Sequence, residues 1–222
     1  MIKTSIGRKI AMALSALFLL VFLLQHLVIN LLSVISPDAF NEASHFMGTN
    51  PLIQFLMQPI LMFGVLFHLI TGFILELKNK SARPVKYAYN KPGENSTWMS
   101  RNMIITGIMI LLFVVVHLND FWVHEVGVKF CQGDWSGLNE SGGMRYYEEL
   151  VVKFENPYRT GLYVLSFVFL SLHLMHGFAS AFQSVGMNHR KYTPMIEKAG
   201  KAYAIIVPAL FIIIAIYHFI NG

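Results

Sequence analysis

Six of the nine histidines lie inside long apolar stretches of the sequence: His26, His68, His117, His173, His176 and His218. A histidine in the hydrocarbon interior of a membrane is costly, and such a position usually marks a functional site. A neutral imidazole nitrogen is also a common ligand for metal ions, iron included. Each histidine alone could equally be hydrogen-bonded to a neighbouring helix, so their depths have to be compared.

The helices that would position these histidines are predicted from hydropathy. The chain has 222 residues, of which 55% are hydrophobic and 13% are charged. A helix needs about 20 apolar residues to cross a membrane, because each residue adds about 1.5 Å. Five stretches are long enough, over residues 10–35, 52–77, 102–123, 160–185 and 202–220. We therefore predict an all-α integral membrane protein, a bundle of five transmembrane helices in a single membrane domain over residues 1–222.

The basic residues are distributed unevenly between the connecting segments. The N-terminus and the segments 78–101 and 190–201 hold thirteen of the 17 Lys and Arg residues, and the opposite connectors hold four. By the positive-inside rule this bias places the N-terminus in the cytoplasm and the C-terminus outside. It also explains the net charge of +5 without a nucleic-acid partner. Residues 124–158 are then an interfacial outer loop, in which residues 144–154 predict a short amphipathic helix.

Two histidines lie at one depth in the outer half of the bundle. His26 is about 24 Å along the first predicted helix from its inner end. His117 is also about 24 Å along the third, which runs in the same direction. We call His26 and His117 the outer pair, and we expect them to be able to bind one iron ion.

A second layer lies deeper. His68 is about 15 Å from the inner end of the second helix, and His173 and His176 are about 20 and 15 Å from the inner end of the fourth. Depth slightly favours His176. However, His68 and His173 are each followed four residues later by a glycine, Gly72 and Gly177, on the same helix face. A glycine there leaves clearance for a porphyrin, so we prefer His68 and His173 as the inner pair, with His176 as the alternative ligand.

Two nitrogen ligands in each layer favour haem over other metals. Zinc sites gather three or four ligands, and copper or non-haem iron sites add Cys, Met or carboxylates. No CxxCH motif is present, so a haem would be held by coordination and packing. We therefore predict two haem b groups, with iron bound by His26 and His117 in the outer layer and by His68 and His173 in the inner layer.

Three sequence blocks carry a resemblance to a known family. They are HLITG at residues 68–72, VHLNDF at 116–121, and YEELVVKFENPY at 147–158 followed by SLHLMHGFASAFQSVG at 171–186. The chain resembles the cytochrome b membrane-anchor subunit of succinate dehydrogenase and fumarate reductase, in the single-chain, five-helix, di-haem class. The resemblance covers nearly the whole chain and implies one haem ligand on each of the first four helices, at His26, His68, His117 and His173.

The resemblance implies further partners and a location. Such an anchor binds an iron-sulfur subunit and an FAD-containing flavoprotein at the cytoplasmic face, and the complex can form higher oligomers. It lies in the bacterial cytoplasmic (inner) membrane and belongs to the respiratory chain and the tricarboxylic acid cycle. Electrons pass between the iron-sulfur subunit and a quinone, menaquinone or ubiquinone. Polar residues near the outer side are the candidates for contacting the quinone: Glu42, His45, Asp120 and His124.

Two other functions are compatible with the sequence. The chain could be the cytochrome b subunit of a hydrogenase or a formate dehydrogenase, which also has few helices and paired histidines. It could instead be a small transporter or scaffold without haem. A transporter should show inverted repeats or broken helices at the midplane, and the sequence shows neither.

Overall fold

The computed structural model describes residues 4–81 and 102–222. Within them, five helices are long and apolar enough to cross a membrane: Ser5–Ile35, Ile53–Asn79, Met103–Cys131, Pro157–Ser184 and Thr193–Asn221. The chain is therefore an all-helical, multi-pass membrane protein. Most of the basic segment 78–101 lies outside the described residues. The orientation of the chain in the membrane, which was inferred from the distribution of charge, therefore remains a prediction.

The helices are numbered in chain order as α1 Ser5–Ile35, α2 Pro37–Thr49, α3 Gln58–Ser81, α4 Met103–His117, α5 Tyr146–Phe154, α6 Pro157–Ser184 and α7 Thr193–Asn221. A π-helical turn, Ile53–Met57, leads directly into α3. Beyond α4 the helical run continues to Cys131 through two π-helical segments, Leu118–Val123 and Gly127–Cys131, and the short turn His124–Val126 between them.

Polar capping residues set several helix ends, which extend beyond the apolar runs used to predict them. The hydroxyl of Thr4 accepts a hydrogen bond from the amide of Gly7, so α1 begins at Ser5 instead of residue 10. Asn156 caps α6 and is followed by Pro157 at the first helical position. The last helix begins at Thr193, nine residues before the predicted start at 202.

Two segments predicted to be connectors are helical. The hydroxyl of Ser36 accepts a hydrogen bond from the amide of Ala39, and Pro37 follows at the first position of α2. This helix replaces the connector expected between the first two spans. The continuation of α4 to Cys131 likewise places His124 on a helix rather than in a loop. Helix α2 contains polar residues such as Asn41, Glu42 and His45, so hydropathy alone does not identify it as a helix.

Four of the helices form a ring. Helix α1 packs against α3 and α6, and α4 packs against α6 and α3, so their order around the ring is α1, α3, α4, α6. The helices α1 and α4 therefore face each other across one diagonal, and α3 and α6 across the other. Bundles of this kind build cofactor sites from side chains on facing helices.

Helix α3 exposes an apolar stripe on the outside of this ring. Its exposed side chains recur at helical spacing at Phe63, Leu66, Ile70, Ile74 and Leu77. Such a stripe suits contact with lipid. Helix α7 lies outside the ring against α6 and α1, and its buried face completes the apolar core with Val207, Phe211 and Ile214.

Candidate functional site

The outer pair meets across the first diagonal. The ring centres of His26 on α1 and His117 on α4 are 5.7 Å apart, with their planes at 79°. Two imidazoles that bind one metal ion from opposite sides have ring centres about 6 Å apart, since each metal–nitrogen bond is about 2 Å. The spacing of the outer pair therefore fits coordination of a single iron.

An aromatic ring holds each member of the outer pair in the same way. Phe22 stacks on His26 with ring centres 5.5 Å apart, and Phe113 stacks on His117 at 5.6 Å. Both phenylalanines lie one helical turn before their histidine. The side chains of His26 and His117 are both partly accessible to solvent.

The inner pair lies on the second diagonal, and each ring contacts a hydroxyl of a neighbouring helix. His68 Nδ1 is 3.1 Å from Ser15 Oγ on α1. His173 Nδ1 is 3.2 Å from Thr106 Oγ1 on α4. Both rings therefore have Nδ1 engaged by a neighbouring helix, and Nε2 remains for a ligand.

His176 lies in a different environment. It lines an open cavity of about 260 Å³ between α6 and α7, together with Ser180, Gln183, Glu197 and Lys201. No hydroxyl contact like those of the inner pair is made by His176 in the described part of the chain. The geometry therefore supports the preference for His173 over His176 as a ligand, which remains a prediction.

The two glycines expected to give porphyrin clearance have matching neighbours. A Cβ atom on Gly72 would lie 3.3 Å from Met12 Cε, and one on Gly177 would lie 3.3 Å from Met103 Cε. The end of an unbranched methionine side chain can move aside at little cost. The clearance proposed for Gly72 and Gly177 thus depends on how these two methionines pack.

The donor set fits haem b better than the other metals considered. Across residues 4–81 and 102–222, no group of three or more His, Cys, Asp or Glu side chains could hold a metal ion. The bundle instead contains histidine nitrogens in facing pairs, and two such nitrogens are the axial ligands of a six-coordinate haem iron. The histidines present therefore fit the cofactor that the sequence predicts.

The four quinone candidates do not form one cluster. Asp120 is only 2% exposed, accepts a hydrogen bond of 2.9 Å from Tyr163 Oη and lies 3.4 Å from Arg159 Nε. His124 is 3.4 Å from Glu149 at the surface, and Glu42 on α2 is exposed. These environments are structural or solvated, which leaves His45 as the candidate that the geometry favours.

His45 faces the partly buried Tyr146 on α5. The ring centres of His45 and Tyr146 are 6.3 Å apart, and His45 Nδ1 is buried without a hydrogen bond to any described residue. Tyr146 Oη is buried near the carboxylate of Glu125. A Cβ on Gly137 would lie within 3 Å of both atoms. Burial, followed by the negative charge of Glu125, raises the pKa of Tyr146 to about 12.

An ion network beside Tyr146 could not be predicted from the sequence. Lys129 is 2% exposed; it donates to the carbonyl of Gly48 and to Gln54 Oε1 at 3.1 Å, and it forms an ion pair with Glu125 Oε1 at 2.8 Å. Arg145 bridges Glu125 and Glu149, with contacts of 2.7 Å to each. Nothing in the sequence distinguishes Lys129 from a solvated loop lysine, so only the tertiary structure identifies it as buried.

His218 on α7 is held by a contact with α1. Its Nε2 is 2.8 Å from Ser33 Oγ, and that hydroxyl donates to the carbonyl of Asn30 at 2.6 Å. With its only proton used, Ser33 must accept from His218 Nε2–H. The His218 side chain is 1% exposed, so we assign it a structural role in joining α1 and α7.

Fold and site together define a multi-pass helical membrane protein with two facing histidine pairs in its core. The chain is 22% identical over 187 residues to the succinate dehydrogenase cytochrome b558 subunit of Bacillus subtilis (strain 168), a match that covers 84% of this chain and 81% of that protein. No family model matches the chain, and no solved structure matches it significantly. The similarity supports a distant relationship to the membrane cytochrome b subunits of succinate dehydrogenase.

Proposed function

We propose that the chain is the membrane-anchor and electron-transfer subunit of a succinate:quinone oxidoreductase. In this role it passes electrons between an iron-sulfur subunit and a membrane quinone through two b haems bound by histidine pairs. The observation that carries the proposal is the placement of the pairs on the two diagonals of one helix ring, with the outer ring centres 5.7 Å apart. The similarity to a succinate dehydrogenase cytochrome b subunit gives independent support.

The chain's own residues would hold two one-electron carriers in line across the membrane. Haem b supplies reversible one-electron transfer at iron, and oxidation of succinate releases two electrons that must leave singly. His68 and His173 would bind the inner group, and His26 and His117 the outer one. Phe22 and Phe113 keep the outer imidazoles oriented and exclude water from one side of each ring.

The inner end of the bundle would bind the soluble subunits. Four exposed cations lie before and within the start of α7, at Arg190, Lys191, Lys198 and Lys201. Under the predicted orientation they face the cytoplasm of a bacterium, where an iron-sulfur subunit and a flavoprotein would dock. A chain in this position converts no succinate itself and contributes to a larger oxidoreductase, which can form higher oligomers.

Quinone would be reduced or oxidised at the outer half, next to the outer pair. Reduction to quinol takes up two electrons and two protons, so the site needs a group that can exchange protons. Of the four candidates, His45 has a buried ring nitrogen without a partner in the described chain, and it lies beside Tyr146. We infer that His45 contacts the headgroup of menaquinone or ubiquinone, with Asp120 in a structural role.

The first test is a count of haems in the purified chain. A reduced-minus-oxidised spectrum with a pyridine haemochrome assay should give two b haems per polypeptide. His173→Ala should lose one of them, while the matched variant His176→Ala, three residues further along α6, should keep both. A colourless chain from haem-sufficient cells would refute the cytochrome function and favour a transporter or scaffold.

A second measurement separates the two cytochrome functions. Gentle purification of the complex should recover an iron-sulfur protein and a flavoprotein with succinate:quinone reductase activity. Recovery of hydrogenase or formate dehydrogenase subunits instead would assign the chain to that alternative. Because the haem count is the same in both cases, the copurifying subunits decide between them.

A further inference from the structure

Helices α1 and α4 repeat one pattern of side chains. In α1 the order is Met12, Ser15, Phe22 and His26, and in α4 it is Met103, Thr106, Phe113 and His117, with identical spacing between successive members. The partner helices α3 and α6 repeat His68 with Gly72 and His173 with Gly177 at the same spacing. The ring therefore consists of two similar helix pairs, and equivalent positions can be compared.

The equivalent hydroxyls make equivalent contacts. Ser15 Oγ donates to the carbonyl of Met12 at 2.7 Å and lies 3.1 Å from His68 Nδ1. Thr106 Oγ1 donates to the carbonyl of Met103 at 3.0 Å and lies 3.2 Å from His173 Nδ1. The same three-atom arrangement thus occurs twice, on different helices and with different hydroxyl residues.

Donor counting fixes the direction of the second bond. A hydroxyl has one proton, and in both cases that proton is used by the backbone carbonyl. Ser15 and Thr106 can then only accept at the histidine, so His68 and His173 carry their proton on Nδ1. The lone pair of a neutral imidazole is left on Nε2, and in both rings Nε2 is therefore the nitrogen that can bind a metal.

Among the described residues, no such acceptor contacts the ring nitrogens of the outer pair. His117 Nδ1 is buried and makes no hydrogen bond to any residue in the described ranges. The polar neighbour of His26 is the side-chain amide nitrogen of Asn30, a donor, at 3.5 Å from both ring nitrogens. A hydroxyl that accepts from a ring N–H makes that imidazole a more basic ligand, and this effect is confined to the inner pair.

We propose that Ser15 and Thr106 are positioning residues for the inner haem, and this inference rests on the proposed function. They fix the tautomer and orientation of His68 and His173, and they stabilise ferric over ferrous iron by making both ligands more basic. The effect acts on the inner haem alone. The repeat thereby gives the two otherwise similar ligand pairs different electron affinities.

The test is a redox titration of the purified holoprotein with Ser15→Ala and Thr106→Val. Removing one acceptor should shift the ferric-to-ferrous ratio of the inner haem toward ferrous by about tenfold at a fixed ambient potential. For a one-electron couple that is an upward shift of about 59 mV. The outer haem should not shift, and His68→Ala and His26→Ala assign the two components of the spectrum.

Two conservative variants and one control make the result specific. Ser15→Thr and Thr106→Ser keep a hydroxyl and should keep the original potential. Ser166→Ala removes another helix hydroxyl, bonded to the carbonyl of Leu162 and to no histidine, and should shift neither haem. If Ser15→Ala loses the inner haem entirely while Ser15→Thr retains it at the original potential, the positioning role is also supported.

Other results overturn the inference. An unchanged inner potential in Ser15→Ala and Thr106→Val, or equal shifts of both haems, would show that the hydroxyls do not act on the inner ligands. So would loss of the inner haem in Ser15→Thr as well as in Ser15→Ala. Absence of haem from the unmodified protein is a different outcome, because it refutes the proposed function.

Discussion

Replacing either member of the ion pair between the buried Lys129 and the partly buried Glu125 should destabilise the protein, but to different extents. The Lys129 ammonium group contacts three oxygen atoms, of which only the one from Glu125 is charged. Glu125 also binds a second cation, Arg145, at 2.7 Å. Removing the carboxylate therefore leaves a buried cation without a counter-ion, whereas removing the lysine leaves Glu125 paired.

The expected free energies follow from this asymmetry. Glu125→Gln should cost about 3–5 kcal/mol, the range for breaking a buried ion pair from one side. Lys129→Met should cost about 1–3 kcal/mol, because the carbonyl of Gly48 and the amide of Gln54 each lose a donor while no charge is left unpaired. A difference of about 2 kcal/mol corresponds to roughly 4–8 °C in Tm for a chain of this size.

Thermal unfolding of the detergent-solubilised protein, followed by far-ultraviolet circular dichroism, measures both variants. Glu149→Gln is the matched control, since Glu149 pairs with the same Arg145 but is 29% exposed, and it should cost at most about 1 kcal/mol. The double variant of Glu125 and Lys129 should be more stable than Glu125→Gln alone. Equal losses for the two single variants, or additive losses in the double variant, would refute the reasoning.

Two further predictions concern the titration of Tyr146 and the space around two helix glycines. Because the pKa of Tyr146 rises from 10.0 to about 12 on folding, the folded chain keeps a proton that the unfolded chain loses, and stability should fall as pH rises from 10 to 12. Tyr146→Phe should lack this decline, worth about 1 kcal/mol after allowance for partial exposure, in a series of Tm values against pH. Gly200→Ala would put a Cβ 2.8 Å from Phe178 Cδ1 and should cost about 1–3 kcal/mol. In the same Tm assay, Gly161→Ala, with nothing within 4 Å of the added carbon, should be neutral or stabilising.

The spans could be predicted from the sequence because they depend on local properties. A helix in lipid satisfies its own backbone hydrogen bonds, so length and hydropathy suffice to locate it. All five predicted stretches correspond to helices able to cross a membrane, although polar caps at Thr4 and Asn156 extend two of them. Helix α2 could not be predicted from length and hydropathy, because its composition is polar and its start depends on the cap formed by Ser36 and Pro37.

The depth of the histidines was also determined by the sequence, since the rise per residue of a helix is fixed. Depth places His26 beside His117, and the structure brings these rings to 5.7 Å. Depth could not separate His173 from His176, because the two are less than one turn apart. To choose between them, one must know which face of α6 points into the bundle, and that depends on which helices lie alongside α6.

Only the tertiary structure decided which side chains surround the histidines. The acceptors Ser15 and Thr106 are distant from His68 and His173 in the chain and reach them because α1 lies beside α3 and α4 beside α6. The burial of Lys129 likewise depends on the carbonyl of Gly48, contributed by another helix. Hydropathy and helical rise fix each element separately, whereas hydrogen bonds between helices depend on the order in which the helices pack.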